Sequence, residues 1–425
     1  MKYLKNSPFL KSILLLTSSS FIAQGITALS MPLLTRLFEP EVMGQYTYVL
    51  SISAIFMSVV NLRYDVPIVT EKKEANVFPL IKLCLTIGIL ITIIASLFFF
   101  IYFSFLGKST WMAGYVFIIL LSYAIIDVFT AYNNRCKEYK VLSSVYILRT
   151  TVQNISGILG GLVLGSVHCL VIPYALGQFA GVSRQIRPLK SHLREILQIP
   201  WSKIMVVAKT HIRQPLFSAP ALLANSLSYS LITIFLEYLY GLEQVGYYSV
   251  SVRLLGIPLA LIGTNISKVY VERASKEYSS TGTYIQTFRK TILLLIAVVV
   301  PMVSILFFFA TPICTIVFGQ KWEAAGRFII ALAPMFGIRL ITSALSPSFV
   351  IINRQKTELI LQSLFLVSSI VCFALAQSLE WELINYIELL SALYSFSYLI
   401  YLSFIYFYSK KSNNGKEKNC NSKCC

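Results

Sequence analysis

Three charged residues of this chain stand deep inside apolar stretches: Asp127, Arg253 and Arg339. An Arg or Asp at the centre of a membrane helix costs roughly 2.5–3.5 kcal/mol on insertion scales, so each must face protein or water rather than lipid. Two guanidinium groups against one carboxylate favour anions, and the planar guanidinium fork grips phosphate oxygens through paired hydrogen bonds. The same field repels a hydrophobic organic cation. Each Arg is alternatively a structural lock onto Asp127 or backbone carbonyls, and Asp127 stays open between a proton site, an Arg partner and a helix-packing contact.

Polar side chains recur at helical spacing around these charges. One stripe holds Thr17, Ser20, Gln24 and Thr27, and the next holds Thr47, Ser51, Ser58 and Asn61. Further stripes carry Tyr123, Asp127, Thr130 and Asn134, then Thr150, Asn154, Gly157 and Gly161. Later in the chain come Ser226, Tyr229 and Thr233, then Ser249, Arg253, Gly256 and Ser267, and finally Arg339, Thr342 and Ser346. A stripe of this kind marks a face turned away from lipid.

The elements that must carry these stripes are transmembrane helices. Hydrophobic residues make up 56% and charged residues 13% of the 425 residues, and the mean hydropathy is +0.71, which excludes an ordinary water-soluble domain. Weakly charged stretches long enough to cross about 30 Å of hydrocarbon fall at 12–33, 43–62, 81–103, 111–132, 143–164, 166–183, 216–236, 248–267, 291–310, 325–348, 359–379 and 387–408, about twelve in all. The fold class expected is an all-α membrane protein. The third and ninth spans are apolar nearly all round and belong outside, leaving the first, second, seventh and eighth, helped by the fourth and tenth, around a central cavity.

The net charge of +18 reflects topology, not nucleic acid. Lys2, Lys5, Arg135, Lys137, Arg187, Lys190, Arg194 and Lys410 fall in the tails or even-numbered connections, whereas the opposite side holds Arg36, Lys108, Lys321 and Arg327. Lys and Arg mark the cytoplasmic side, so both termini are expected there. The apolar stretch after the basic start exceeds a signal-peptide core and carries Ser18, Ser19, Ser20 and Gln24, which suits a retained span.

An internal repeat divides the chain. Leu37-Phe-Glu-Pro-Glu41-Val-Met-Gly44-Gln-Tyr46-Thr47 aligns with Leu239-Tyr-Gly-Leu-Glu243-Gln-Val-Gly246-Tyr-Tyr248-Ser249. Leu97-Phe-Phe-Phe100 pairs with Leu306-Phe-Phe-Phe309, and Asn134-Arg135-Cys136-Lys137 with Asn353-Arg354-Gln355-Lys356, at separations that grow along the chain. Two parallel six-helix halves follow, with substrate sites expected between them. The expected organisation is an N-terminal lobe at 1–190, a basic cytoplasmic linker at 191–214, a C-terminal lobe at 215–409 and a disordered cytoplasmic tail at 410–425. With Leu193, Ile196, Leu197 and Trp201 between its charges, the linker reads as an amphipathic helix on the inner membrane surface.

Other chemistry finds no foothold. Gly107-Lys108-Ser109-Thr110 mimics the end of a phosphate loop, but Tyr102 stands where that loop needs Gly. His168, His192 and His211 lack metal-ligand spacing, and the eight Cys, with Cys420, Cys424 and Cys425 in the tail, form neither a disulfide framework nor a zinc pattern. No nucleophile–base or paired-carboxylate arrangement is visible, so neither an enzyme nor a bound cofactor is expected.

Five segments carry a resemblance to a known family: Leu34-Thr-Arg36-Leu-Phe-Glu-Pro-Glu-Val-Met-Gly44-Gln-Tyr46, Leu62-Arg63-Tyr64-Asp65-Val-Pro-Ile-Val, Pro215-Leu-Phe-Ser-Ala-Pro220-Ala-Leu-Leu-Ala-Asn225-Ser-Leu-Ser, Gly246-Tyr-Tyr-Ser-Val-Ser-Val-Arg253-Leu-Leu-Gly-Ile-Pro258 and Phe318-Gly-Gln-Lys-Trp322-Glu-Ala-Ala-Gly. The chain resembles the Wzx-type flippases of O-antigen and capsule units, in the multidrug/oligosaccharidyl-lipid/polysaccharide exporter superfamily. The resemblance implies a V-shaped, two-lobed, alternating-access transporter in the bacterial cytoplasmic membrane. Its cargo would be an undecaprenyl-pyrophosphate-linked oligosaccharide, moved from inner to outer leaflet for surface polysaccharide such as lipopolysaccharide O-antigen. On that picture Arg253 and Arg339, with Arg63 near the inner mouth, contact pyrophosphate, while Gln24, Tyr46, Asn61, Asn154 and Asn225 hydrogen-bond sugar hydroxyls. Asp127 is the candidate for coupling to a proton or sodium gradient. Expected partners are the lipid-linked oligosaccharide, membrane lipid and a polysaccharide polymerase. The rival readings are a multidrug or cation antiporter of the same fold, a membrane glycan polymerase and a non-transporting scaffold.

Overall fold

The computed structural model describes residues 8–410, apart from 106, 108 and 353. The tail from 411 with Cys420, Cys424 and Cys425, the basic residues Lys2 and Lys5, Lys108 of the phosphate-loop look-alike and Asn353 of the repeat lie outside the described residues.

Every expected span falls on a helix. These are α1 (Pro8–Leu37), α2 (Pro40–Met57), α3 (Val77–Phe105), α4 (Trp111–Arg135), α5 (Tyr139–Val163), α6 (His168–Gly177) and α7 (Ala219–Tyr240). Then come α8 (Leu242–Thr281, with a π-helical turn at Leu259–Gly263), α9 (Ile285–Ile313), α10 (Glu323–Leu345), α11 (Gln355–Ser378) and α12 (Leu383–Lys410). No strand occurs among the described residues. Eight of these segments, α3, α4 and α7 through α12, are long and apolar enough to cross a membrane, which makes this a multi-pass membrane protein. The polar-striped α1, α2 and α5 and the short α6 are the other four. The sixth expected span is shorter as helix than its apolar run suggested: α6 holds 10 residues, and the chain then turns through Gly181 at φ +81° into a short helix at Val182–Gln185.

Helix breaks follow local chemistry. Glu39 is extended and Pro40 occupies the first turn of α2, because proline disfavours helix in the residue before it and presets φ for the residues after. After α2, Leu62 and Arg63 both adopt left-handed backbone at φ +45° and +63°, a conformation that side chains with a Cβ resist by about 1–3 kcal/mol each. That turn reverses the chain into the short helix Asp65–Thr70.

The chain forms two compact units, the first ending at Gly246 and the second beginning at Tyr247. The first takes in α7, which the repeat groups with the second half, because α7 packs along α2. The Ser226 hydroxyl donates to the Ala54 carbonyl at 2.8 Å, and the start of α8 meets the start of α2 backbone to backbone. A Cβ on Gly44 would run into the Leu242 carbonyl, and one on Gly246 into the Pro40 carbonyl. These are the two glycines that the internal repeat aligns, so the repeat-related turns sit against each other and only glycine lets them close.

Within the first unit the basic linker is not simply laid on a membrane surface. Leu189, Ile196, Ile204 and Val207 are buried in a cluster with Tyr64, Ile68, Leu80 and Val128, while Leu197, Trp201, Met205 and Val206 remain exposed. The apolar residues expected to share one face therefore split between protein and outside. Polar ties fix the docking. Lys82 of α3 donates to the carbonyls of Leu197 at 2.7 Å and Ile199 at 2.8 Å, and the Tyr64 hydroxyl donates to the Ala208 carbonyl at 3.2 Å. His211 meets Glu71 at 2.8 Å. The backbone N–H of Lys73, helped by His211, holds the Glu71 carboxyl below its usual range.

In the second unit α10 is the most enclosed of the eight segments and α9 the least. Gly326 of α10 passes close to Thr311 of α9, and Gly337 to Val299 and Val303. The Ser251 hydroxyl of α8 donates to the Ala325 carbonyl at 2.9 Å, and Tyr270 and Ser348 share a hydrogen bond of 2.6 Å. On its other side α9 exposes Leu293, Val300, Phe307, Phe308 and Phe309, as α3 exposes Ile94, Leu97, Phe98 and Ile101. Such continuous apolar faces are what a hydrocarbon environment requires.

Gly44→Ala and Gly246→Ala should each force the α2–α8 contact apart and cost about 3 kcal/mol, at the upper end of overpacking penalties. The check is the thermal midpoint and monodispersity of the detergent-purified chain, with Gly114→Ala, whose Cβ would meet open space, as the neutral control.

Candidate functional site

Five of the residues singled out from the sequence, Ser58, Asn61, Arg63, Tyr123 and Asp127, converge in the first unit. A cavity of about 150 Å³ is lined by Ser58, Asn61, Arg63, Asp65, Tyr123 and Asp127, with Met57 and Leu222 completing it. Asn61 is 2% exposed. Its amide nitrogen donates to Asp127 Oδ2 at 3.1 Å and to the Ala124 carbonyl at 3.3 Å. Arg63 reaches Asp65 Oδ2 at 3.5 Å, a long contact, and its Nε is buried without a partner. The left-handed turn at Leu62 and Arg63 is what brings Asn61, Arg63 and Asp65 to one place, against Asp127 on α4.

Gly88 on α3 makes the room. A Cβ there would stand 2.7 Å from Asn61 Oδ1 and 2.8 Å from the Ala124 Cβ. Asp65 lies beyond the end of the second span, where burial raises its carboxyl above the usual range against the opposing pull of Arg63. Two carboxylates and one guanidinium in so small a space can hold a proton or a small cation, or exchange the Arg63 contact for another anion. Asp65 enters the site only through the fold: in the sequence it looks like an ordinary charge just outside a span.

The second unit has a cavity of another character. About 430 Å³ opens between α8 and α10, lined by Val252, Gly256, Gly263, Ser267, Arg339 and Ser343 among others, and no acidic residue lines it. The Arg339 guanidinium lies 5.3 Å from the Phe336 ring centroid, a cation–π contact. Arg253 is half-buried on α8, one residue past Val252, but does not line this cavity.

The residues expected to meet sugars are dispersed. Gln24 and Asn225 are half-buried on α1 and α7. Asn154 turns its amide back onto the Thr150 carbonyl of its own helix at 2.8 Å. Tyr46 packs edge-on against Tyr174 at 6.2 Å, beside the apolar cluster of Tyr48, Val49 and Val116. One charge within an expected span escaped the sequence reading altogether: Arg149, which the 143–164 span contains and which lines a separate cavity with Gln185. Its position inside that span was the available signal.

A family model described as "Polysaccharide biosynthesis protein" matches residues 33–327. The chain belongs to this family. Among solved structures it is similar to one described as "Lipid II flippase MurJ, inward closed conformation", at 15% identity and a TM-score of 0.64, covering 92% of this chain and 87% of that one. It is also similar to a MOP superfamily transporter from Pyrococcus furiosus whose binding pocket is described as having reverse polarity, at 13% identity and a TM-score of 0.60, covering 94% and 97%. The Vibrio cholerae MATE transporter VcmN matches at 11% identity and a TM-score of 0.59, covering 96% of each chain. No curated protein sequence matches. At these identities the structures establish the fold, which is that of flippases and exporters.

Gly88→Ala should push Asn61 off Asp127 and lower stability by about 1–3 kcal/mol. A drop in the thermal midpoint that Asn61→Ala then reduces, by clearing the space, would tie the effect to this contact; a drop of equal size in both backgrounds would sever it.

Proposed function

We propose that this protein is a flippase that carries an undecaprenyl-pyrophosphate-linked oligosaccharide from the cytoplasmic to the outer leaflet of a bacterial cytoplasmic membrane, by alternating access, for surface polysaccharide such as O-antigen, capsule or exopolysaccharide. The observation that carries this reading is Arg339 in a cavity of about 430 Å³ that no acidic residue lines. A guanidinium so placed favours a phosphate over a cation, and a charge inside a membrane-spanning helix is justified by a ligand that needs it. The family match supports a place in polysaccharide assembly, and the shared fold supports movement across the membrane.

In this mechanism Arg339, with Arg253 of α8, neutralises the pyrophosphate while the prenyl chain stays in lipid. Hydroxyl and amide groups along the polar stripes, Gln24 and Asn225 included, accept and donate to sugar hydroxyls. Asp127, with Asp65 and Arg63 beside it, is the coupling site for a proton or sodium gradient. Both termini face the cytoplasm, the polymerase that consumes the translocated unit is the functional partner, and no catalytic side chain is needed.

One observation favours a cation antiporter instead: Asp65 and Asp127 line a single cavity with only Arg63 to balance them. The two readings separate experimentally. Arg339→Ala and Arg253→Ala should each abolish surface glycan while the protein remains in the membrane, with lipid-linked units accumulating on the cytoplasmic side. Full glycan display by both variants, or loss of cation-dye efflux in Asp127→Asn cells whose glycan is intact, would replace the flippase with the antiporter.

A further inference from the structure

A cavity of about 250 Å³, separate from both sites above, opens in the first unit between α1, α4 and α5, lined by Ser19, Ser20, Thr130, Tyr146, Arg149 and Gln185 among others. Its one charge is Arg149, and no acidic residue lines it. The guanidinium donates from Nη2 to Gln185 Oε1 at 2.5 Å, while its Nε is buried without a partner. Gln185 is itself fixed. It is 2% exposed, its carbonyl accepts from Asn133 Nδ2 at 2.7 Å, and its amide nitrogen reaches Thr130 Oγ1 at 3.4 Å. The guanidinium is thus held in place by a neutral amide.

That arrangement is costly without a ligand. A half-buried cation packed among helices calls for a counter-charge, and the cavity lining supplies none. Leu142, in the first turn of α5, and Gln185 line the same space, and Arg149 stands about 15 Å along α5 from its first residue. Phe21 and Ile22 on α1 and Ile155 on α5 present exposed apolar side chains on the same two helices, a flank suited to a hydrocarbon chain.

We propose that this cavity binds the phosphate or pyrophosphate ester of a membrane lipid, with Arg149 as its anchor and Gln185 as the residue that positions it. If the ligand is the cargo, the cavity is a loading site apart from Arg339, and that assignment rests on the flippase reading; a resident phospholipid offers the same chemistry.

The test uses the full-length chain in nanodiscs of neutral phosphatidylcholine, titrated with undecaprenyl pyrophosphate and separately with phosphatidylglycerol, with bound lipid read by native mass spectrometry. Arg149→Ala should weaken binding at least about tenfold, the value of one charge-assisted contact, and Arg149→Lys should fall between, keeping charge but losing the fork. Ser20→Leu, at an exposed position of α1, should narrow the cavity and weaken the same probe with the guanidinium intact, which keeps the test valid should Arg149→Ala misfold. Weakening for undecaprenyl pyrophosphate alone assigns the site to cargo, and weakening for phosphatidylglycerol, alone or with it, to lipid phosphate in general. Unchanged binding of both probes in Arg149→Ala and Ser20→Leu overturns the proposal. Because this readout is binding, it can fail while Arg339→Ala still abolishes glycan, or hold while that variant leaves glycan untouched.

Discussion

Charge is expensive in hydrocarbon, and the placement of every ionisable group in the spans of this protein follows from that. A guanidinium or carboxylate on a membrane helix must find a counter-charge, a fixed dipole or a polar space. The three cavities answer this requirement in three ways. Asp127 is met by the Asn61 amide, with Arg63 and Asp65 beside it. Arg339 is met by the face of Phe336 and an open, carboxylate-free space. Arg149 is met by an anchored glutamine. The first combines two carboxylates with one guanidinium, and no acidic residue lines the other two.

The helical frame exists to hold those positions. Gly88, Gly326 and Gly337 let neighbouring helices approach until side chains such as Asn61 and Thr311 touch backbone that would otherwise be screened by a Cβ. Gly44 and Gly246 do the same for the repeat-related turns at the starts of α2 and α8. Where lipid packing offers no hydrophobic drive between helices, this close approach and a few hydrogen bonds, such as Ser226 to Ala54 and Ser251 to Ala325, supply the cohesion. The linker adds a cap of another kind: half of its apolar face is spent on the first unit's core and half remains outside.

The strained turn at Leu62 and Arg63 shows how the chain sustains a charged cavity. Two successive left-handed residues store free energy that the surrounding packing of Tyr64 and Ile68 must offset. The return is that Asn61, Arg63 and Asp65 reach one cavity with Asp127 of α4.

The sequence alone determined the class of the protein, because hydropathy and the one-sided distribution of Lys and Arg act through local composition and need no folding to be read. It also singled out Asp127, Arg253 and Arg339 as charges within long apolar runs, since the cost of such a charge is a property of the run. The repeat was legible at Gly44 and Gly246, though not that the two glycines touch. Tertiary structure alone decided which polar groups meet. Asp65 joins Asp127 through a turn that no propensity favours, Arg149 is set by Gln185 from a distant stretch of chain, and Tyr46 and Asn154, polar by type, are occupied by Tyr174 and by Asn154's own helix. Helical periodicity tells which face a residue shares; contacts between helices far apart in sequence depend on how those faces pack, and that is written only in three dimensions.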